Sequence, residues 1–466
     1  MTEVEDLARF IVRARYRDLS QDARAQLKIR VLDSLGCAIG ALDAEPVRIV
    51  REQVEAFGGK PLCTLIGGGK SAPDRAAFLN GALVRYLDFM DAYLAKGETC
   101  HPSDNLAPVL AAAEFAGASG EEFLTALAVA YQVQARLSDE APVRQRGFDH
   151  TVQGAYAAGA GVAKALGLDE ERTAHAIALA ATGNIALRVT RTGALSHWKG
   201  LAYPNTAFIA THGAFLAMRG ITGPLEIFEG NKGFKASVSG PFAIDWRHEN
   251  LERVRRTIVK QYDAEIHAQP AIEGALELRE RHEIGAADVD SVTVEIFDVA
   301  YQIIGGGEEG AKQCVRTKEE ADHSLPYMIA AALCDGVLGP TQYEPARIAR
   351  SDVQRLLRRV VVKSDSGFSA RFPEEMACRV SITLRDGRRC EIEKRDYHGF
   401  HSRPFSYEDA TRKFCDLTEP FAAQPLCSAI VDSVQQLEEI NIRQLVRILK
   451  AVPATAVETE DFFTTS

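Results

Sequence analysis

Ser291-Val292-Thr293-Val294-Glu295-Ile296 alternates polar and apolar side chains with period two. Successive side chains of a strand point to opposite faces, so this stretch reads as a half-buried strand. It decides the fold because the chain changes character there, near residue 285. Upstream, from about residue 4 to 265, the pattern is helical and rich in alanine. Ser20 precedes a long apolar-periodic segment through Leu42. Ser119 and Glu122 form a capping-box pattern ahead of residues 123–128, and Asp169 opens a helix that runs to Ala181. Ala157 to Ala163 is small almost throughout, which suits a closely packed central bundle. Downstream, Val360-Val361-Val362 reads as a second strand. Arg379 to Leu384 and Arg388 to Glu393 flank Asp386-Gly387, a two-residue hairpin signal. A helical patch, Ser324 to Leu338, lies between the first two strands. Helix then returns, with Ser406 and Asp409 as a cap and Ile430 to Leu449 periodic. The expected fold is mostly α with an α+β part. A large all-helical domain is built from both chain ends (1–268 and 404–466), and a smaller α+β domain (269–403) is inserted in it. Glu458 to Ser466 reads as a frayed tail.

Composition narrows the function. At 466 residues the chain exceeds one ordinary core, so two domains are the prior. A net charge of −10 argues against general nucleic-acid binding, which needs a basic surface. An anionic ligand must then be held by a local cationic pocket. No apolar run approaches the roughly 18–20 residues of a membrane span, and Met1 to Asp6 is acidic without a basic-then-apolar leader. Nine scattered cysteines, never spaced Cys-x-x-Cys, fit reduced thiols in a cytoplasmic protein better than a disulfide framework or a zinc or iron–sulfur site. Cys100 stands out for its place beside His101, but a packed thiol is the commoner role. The runs Gly67–Gly69 and Gly305–Gly307 lack dinucleotide spacing and read as loops, either of which could border a ligand.

The chemistry-bearing residues cluster. Asp88-Phe89-Met90-Asp91 is followed by His101-Pro102-Ser103-Asp104-Asn105. Proline cannot enter a helix interior and pushes the residue before it toward extended dihedrals, so His101 is expected on a rigid corner before a helix. A histidine beside carboxylates can exchange protons near neutral pH. The plainer reading is that Ser103 or Asp104 caps the helix starting near Leu106. His150 follows Gly147-Phe148-Asp149 at the start of the small-residue helix. Lys199, between Trp198 and Gly200, is a candidate for a partly desolvated cation, or else an ordinary loop lysine. Lys260 to Gln269 falls at the junction of the two expected domains, where ligand sites concentrate. Lys260 and His267 share a face if that segment is helical and oppose each other if it is extended. Asp322-His323-Ser324 and Tyr327 open the helical patch, where Asp322 or Ser324 can act as a simple cap.

In this order and spacing, Leu87-Asp88-Phe89-Met90-Asp91, His101-Pro102-Ser103-Asp104-Asn105, Trp198-Lys199-Gly200 and Tyr262-Asp263-Ala264-Glu265-Ile266-His267-Ala268-Gln269 resemble the MmgE/PrpD family. That family includes 2-methylcitrate dehydratases, cis-aconitate decarboxylases and iminodisuccinate epimerases. The resemblance runs from the first helices to the Gly399–Pro404 turn. It implies a helical domain with a smaller lid-like α+β domain, a homodimer, no metal or other cofactor, and a small di- or tricarboxylate as substrate. Asp91 and His101 match an acid–base pair, and His150, His267 and Tyr327 match pocket residues. Lys199 and Lys260 match cations for substrate carboxylates, and Ser103 is expected beside the substrate with them. Asp91-Ala92-Tyr93 stands where many members have Asp-Thr-Trp, which removes a hydroxyl. The Lys260-to-His267 spacing and Asp104-Asn105 resemble the dehydratase branch.

The implied activity is a metal-independent hydro-lyase reaction, dehydration of 2-methylcitrate to 2-methylaconitate. A decarboxylase or epimerase on the same scaffold is the alternative, and a non-catalytic binding homologue a more distant one. Dehydration needs a base for a carbon-bound proton beside a carboxylate, an acid for the departing hydroxyl, and cations against the developing charge. His101 is expected to transfer the proton with Asp91 orienting it, and His267 to act on the leaving group.

Overall fold

Small side chains set the centre of the helical part. The computed structural model describes residues 2–455. The helix Thr151–Ala165 is buried along nearly its whole length, among the helices Gly120–Glu140, Glu170–Thr182 and Trp198–Met218. Two of its positions have no room for a Cβ. At Gly161 one would meet Val109 Cγ2 at 2.7 Å, and at Gly154 it would meet the Tyr203 ring at 2.3 Å. Glycine there lets the neighbouring helices approach.

The helix starts follow their caps. Ser20, Ser119, Asp169, Ser324 and Ser406 each accept a first-turn backbone N–H, which satisfies donors the helix itself cannot. Two helical expectations are corrected. Ile430 to Leu449 is not one helix: Gln424–Gln435 and Ile442–Leu449 are separated by a turn. There the Gly120 N–H donates to the Ile440 carbonyl and the Asn441 amide donates to the Gly117 carbonyl, so the backbone is drawn out to pair with another loop. Lys199 is not in a loop but in the first turn of Trp198–Met218.

The C-terminal helix Tyr407–Thr418 returns to the N-terminal half and packs on Gln21–Gly40. Lys413 Nζ pairs with Asp33 at 2.7 Å and donates to the carbonyls of Phe89 (2.7 Å) and Lys260 (2.9 Å). One lysine thus ties this helix to two segments that shape the cleft described below.

The mixed part is a four-stranded sheet in the order 360–364, 289–296, 378–384, 389–394. Val360–Ser364 runs parallel to Val289–Ile296, with Val292 opposite Val360, and helix Leu325–Asp335 lies on the crossover between them. Cys378–Leu384 and Arg389–Lys394 are the antiparallel hairpin closed by Asp386-Gly387. Val292, Val294, Ile296, Val380 and Ile382 face a core shared with Leu325–Asp335 and Gln269–Arg281. On the opposite face Arg379 joins Glu295 and Glu393, each at 3.1 Å. The fold is mostly α with a smaller α+β part.

The two parts meet where residues 88–101 face residues 258–267. Ala92 and Ile258 exchange backbone hydrogen bonds of 2.9 and 2.8 Å. No described helix is long and apolar enough to cross a membrane. Among the described residues no disulfide forms, and burial pushes the Cys100 thiol well above its ordinary pKa, which makes it a packed side chain. The expected frayed tail lies outside the described residues.

Candidate active site

His101 occupies a corner built by its neighbours. Its backbone is near-extended (φ −125°, ψ 89°), Pro102–Asn105 forms a 3₁₀ turn, and the helix Leu106–Ala116 follows. Neither Ser103 nor Asp104 caps that helix: the Ser103 hydroxyl and both Asp104 carboxyl oxygens lack a hydrogen-bond partner. Asn105 fastens the turn instead. Its amide donates to Gln134 Oε1 (2.7 Å) and its oxygen accepts from the Tyr203 hydroxyl (2.8 Å).

The corner opens on a narrow cleft at the seam. His101, His150, His267, Lys260, Arg85 and Asp88 all line it. His101 Nδ1 lies 2.8 Å from the Asp91 carbonyl oxygen. A carbonyl only accepts, so Nδ1 carries the hydrogen and Nε2 keeps its lone pair for the cleft. Burial, reinforced by Arg85 and Lys260, holds the His101 pKa well below the ordinary histidine value. The ring is therefore neutral near pH 7, as a base must be.

Asp91 is not where the carboxylate of an acid–base pair was expected. It is buried behind the corner, where it accepts from the Ser103 N–H (3.0 Å) and the Tyr131 hydroxyl (2.9 Å). Its backbone carbonyl, not its carboxylate, orients His101. Neither Asp91 nor Ser103 lines the cleft.

His267 has a different partner. Its Nδ1 is 2.7 Å from Glu265 Oε1, and its Nε2 is 3.5 Å from the Thr99 hydroxyl. Burial raises the Glu265 carboxyl, but the charge and hydrogen bond of His267 outweigh it and hold the pKa at about 2. One imidazole thus faces a neutral carbonyl and the other a carboxylate. The segment bearing them is neither of the regular alternatives: bends lead from Lys260 into a 3₁₀ turn, Ile266–Ala268, ahead of helix Gln269–Arg281. His150 packs edge-on to His101, with ring centroids 5.6 Å apart, and its Nε2 has no partner. Burial lowers its pKa to about 3.

The cations are paired in layers. Lys260 Nζ donates to Asp88 Oδ1 at 3.0 Å and also to the Asp88 carbonyl. Asp88 adopts φ +58°, a left-handed conformation that costs a non-glycine residue energy and often marks a functional site. Burial raises its carboxyl, yet Lys260, Arg85 and Lys199 together take the pKa well below the usual carboxylate range. Lys199 lies behind Asp88 rather than on the cleft wall. Its ammonium is 3.2 Å from Asp88 Oδ2, 2.8 Å from Asp322 Oδ1 and 3.0 Å from His323 Nδ1. Those three atoms are clustered closely enough to hold a metal ion, and the ammonium lies within hydrogen-bonding reach of all of them. Asp322 is therefore not a cap: it bridges Lys199 and Lys318, the latter at 2.7 Å.

Tyr327 is misplaced by the sequence reading. It is buried in the core of the mixed part, its hydroxyl donates to the Gln342 carbonyl, and it does not reach the cleft. The cleft in turn contains residues the reading missed. Glu265 lies two positions before His267 in a stretch already singled out, so it could have been found. Arg144, Arg188, Arg191 and Glu309 carry no local signal, since isolated charges usually read as solvated surface. Arg191 pairs with Asp149 at 2.8 Å, and Arg188 with Glu309 at 2.6 Å.

Comparison with known proteins accounts for this assembly. Residues 5–247 match the MmgE/PrpD N-terminal domain and residues 262–439 match the MmgE/PrpD C-terminal domain. The chain belongs to the MmgE/PrpD family. It is 29% identical over 434 residues to the 2-methylcitrate dehydratase of Escherichia coli strain K12, covering 86% of each chain. It is 28% identical over 389 residues to the 2-methylcitrate dehydratase of Cupriavidus necator, covering 77% of each. With the cis-aconitate decarboxylase of Mus musculus it shares 27% identity over 453 residues, 91% of this chain and 88% of the relative. In this MmgE/PrpD chain the cleft draws on segments from both matched regions: His101 and His150 come from the first, and Glu265, His267 and His323 from the second.

Proposed function

We propose that the protein is a lyase acting on a small di- or tricarboxylate, and that the reaction is dehydration of 2-methylcitrate to 2-methylaconitate. The observation that carries this reading is the pair His101 and His267, in one cleft with different partners on Nδ1. Groups whose environments differ in this way divide acid and base work between them. His101 Nε2 takes the proton from the carbon beside a carboxylate, and the Asp91 carbonyl holds the ring in the required tautomer. His267, backed by Glu265, protonates the departing hydroxyl. Lys260 faces the carboxylate next to the reacting carbon and stabilises the charge that builds there. Lys199 is a positioning residue: it fixes Asp88, which fixes Lys260. Asp91 and Ser103 act one step further back, by locking the loop that carries His101. His150 shapes the wall beside His101. Tyr327 has no part in the reaction.

Names of relatives at this level of identity support a reaction type more than a substrate. One relative is a decarboxylase, and the same carboxylate contacts serve either reaction. Purified protein incubated with 2-methylcitrate, citrate, cis-aconitate and iminodisuccinate, followed by NMR, distinguishes them. Conversion of 2-methylcitrate to an alkene is expected. Release of carbon dioxide from cis-aconitate, or a change of configuration alone, would replace the dehydratase reading. His101→Ala should lower turnover by about 100-fold or more, the usual contribution of a placed acid or base. A variant that keeps most of its rate would remove His101 from the mechanism.

A further inference from the structure

Beside the inner cleft lies a second, wider space of about 480 Å³. The two spaces share Glu98, Thr99, Arg144, Arg188 and Glu309, which form a waist. At that waist one carboxylate oxygen, Glu309 Oε1, receives both arginines, Arg188 at 2.6 Å and Arg144 at 3.5 Å. The other oxygen, Oε2, is buried without a hydrogen-bond partner. The remaining cleft cations are held elsewhere: Arg85 by Asp88 and Asp104, Lys260 by Asp88, Arg191 by Asp149. Among the described residues Glu309 is the sole ion-pair partner of Arg144 and Arg188.

The backbone that carries the two arginines is hydrogen-bonded in place. The Arg188 N–H donates to the Gly147 carbonyl at 2.9 Å, and the Val143 and Arg144 N–H groups both donate to Glu98 at 3.1 Å. Glu309 comes from the mixed part, on a turn between Gly306 and Gly310, both at positive φ, and its own N–H donates to the Gln302 carbonyl at 3.0 Å. Two guanidinium groups facing one half-satisfied carboxylate on a glycine-flanked turn form an anion receptor with an internal anion in it.

We infer that Arg144 and Arg188 form a second carboxylate subsite, for the substrate carboxylate remote from the reacting carbon, and that Glu309 occupies it until substrate displaces it. The inference rests on the proposed di- or tricarboxylate substrate. It explains why a waist should carry a buried carboxylate oxygen with nothing to bond: both oxygens of a substrate carboxylate can be used there, one on each arginine. It also makes the subsite selective. An acid with a single carboxylate meets Lys260 but leaves Glu309 in place, whereas a longer di- or tricarboxylate spans both positions and opens the turn.

The test is calorimetric binding of tricarballylate, a tricarboxylate without a hydroxyl to eliminate, to the full-length protein. Glu309→Gln removes the competing anion and should tighten binding, about tenfold if Glu309 holds the arginines nine-tenths of the time. Arg188→Gln should weaken it about tenfold or more, the value of a lost charge-assisted contact. In the double variant the gain from Glu309→Gln should vanish, because the two changes act on one contact. For whichever acid turns over, Arg188→Gln should raise KM more than it lowers kcat, which a merely structural role would not produce. In the unmodified protein, amide exchange at 306–312 should quicken when tricarballylate binds. Unchanged or weaker binding by Glu309→Gln, or exchange that slows or stays the same, overturns the inference. If none of the four assayed acids is converted yet tricarballylate follows this pattern, the subsite stands and the dehydratase reading falls. If 2-methylcitrate is dehydrated and both variants bind tricarballylate like the parent, the subsite alone is overturned.

Discussion

Two imidazoles of the same intrinsic chemistry end in one cleft with different partners on Nδ1. His101 meets a backbone carbonyl and lies among Arg85 and Lys260, so a second positive charge there is costly. His267 meets the Glu265 carboxylate. The direction of the His101 shift fixes a pH dependence. A base works when unprotonated, and a lowered pKa keeps it unprotonated to lower pH. The acidic limb of kcat/KM assigned to His101 should therefore fall below the ordinary histidine value of about 6.5, with full activity retained at about pH 7. A limb centred above pH 7 would show that another group is the base. Glu265→Gln tests the second imidazole. It keeps the shape and removes the anion, so kcat should drop about 100-fold or more with a smaller change in KM. A raised KM with kcat unchanged would mean that Glu265 serves binding alone.

At the scale of elements, much of the architecture can be read from the chain because it depends on short-range physics. A serine or aspartate cap, a period of two and an Asp-Gly turn each act within a few residues. Ser119, the 291–296 alternation and Asp386-Gly387 accordingly mark real boundaries. The site was legible only where its residues are clustered: His101 and His267 stand in dense polar stretches. Arg144 and Glu309 are brought together across 165 positions of chain, and nothing local announces that. Asp91 misled for a related reason. A sequence shows that a residue is near another but not whether its carbonyl or its carboxylate faces it. The link between element and site runs through Gly154. Alanine usually gains up to about 1 kcal/mol over glycine inside a helix. Here the added methyl would lie 2.3 Å from the Tyr203 ring, whose hydroxyl holds Asn105 on the His101 turn. Overpacking of that kind costs about 1–3 kcal/mol, so the propensity gain should lose. Gly154→Ala is expected to lower the thermal midpoint and the turnover rate together. A stabilised variant with normal activity would show that the ring can move aside.

At the scale of the whole molecule, the cleft is a concentration of buried charge that the surrounding fold must tolerate. Some of the carboxylates in and around it are matched: Asp88, Asp149 and Asp322 are each held below the ordinary range by lysine or arginine neighbours that outweigh the cost of burial. Asp263 is not. It lies in the seam with neither carboxyl oxygen hydrogen-bonded, and burial raises its pKa to about 7. The consequence for stability has a definite sign. Below about pH 3.8 the group is protonated in both folded and unfolded chains and contributes no pH dependence. Between there and about pH 7 the folded chain keeps the proton and the unfolded chain loses it, so rising pH favours unfolding. Above about pH 7 both forms are ionised and the penalty is constant. The paired carboxylates act in the opposite direction, so the bulk pH profile mixes the two, and a single substitution is needed to separate them. Asp263→Asn keeps a polar group of the same size and cannot ionise. Its stability relative to the parent should climb from about pH 4 to about pH 7, at no more than about 1.4 kcal/mol per pH unit, and then level off. Unfolding midpoints of the two proteins near pH 5, 6 and 8 measure this. A difference that stays flat across that range would mean that Asp263 is ionised in the folded protein throughout, with a cation at the seam reaching it after all.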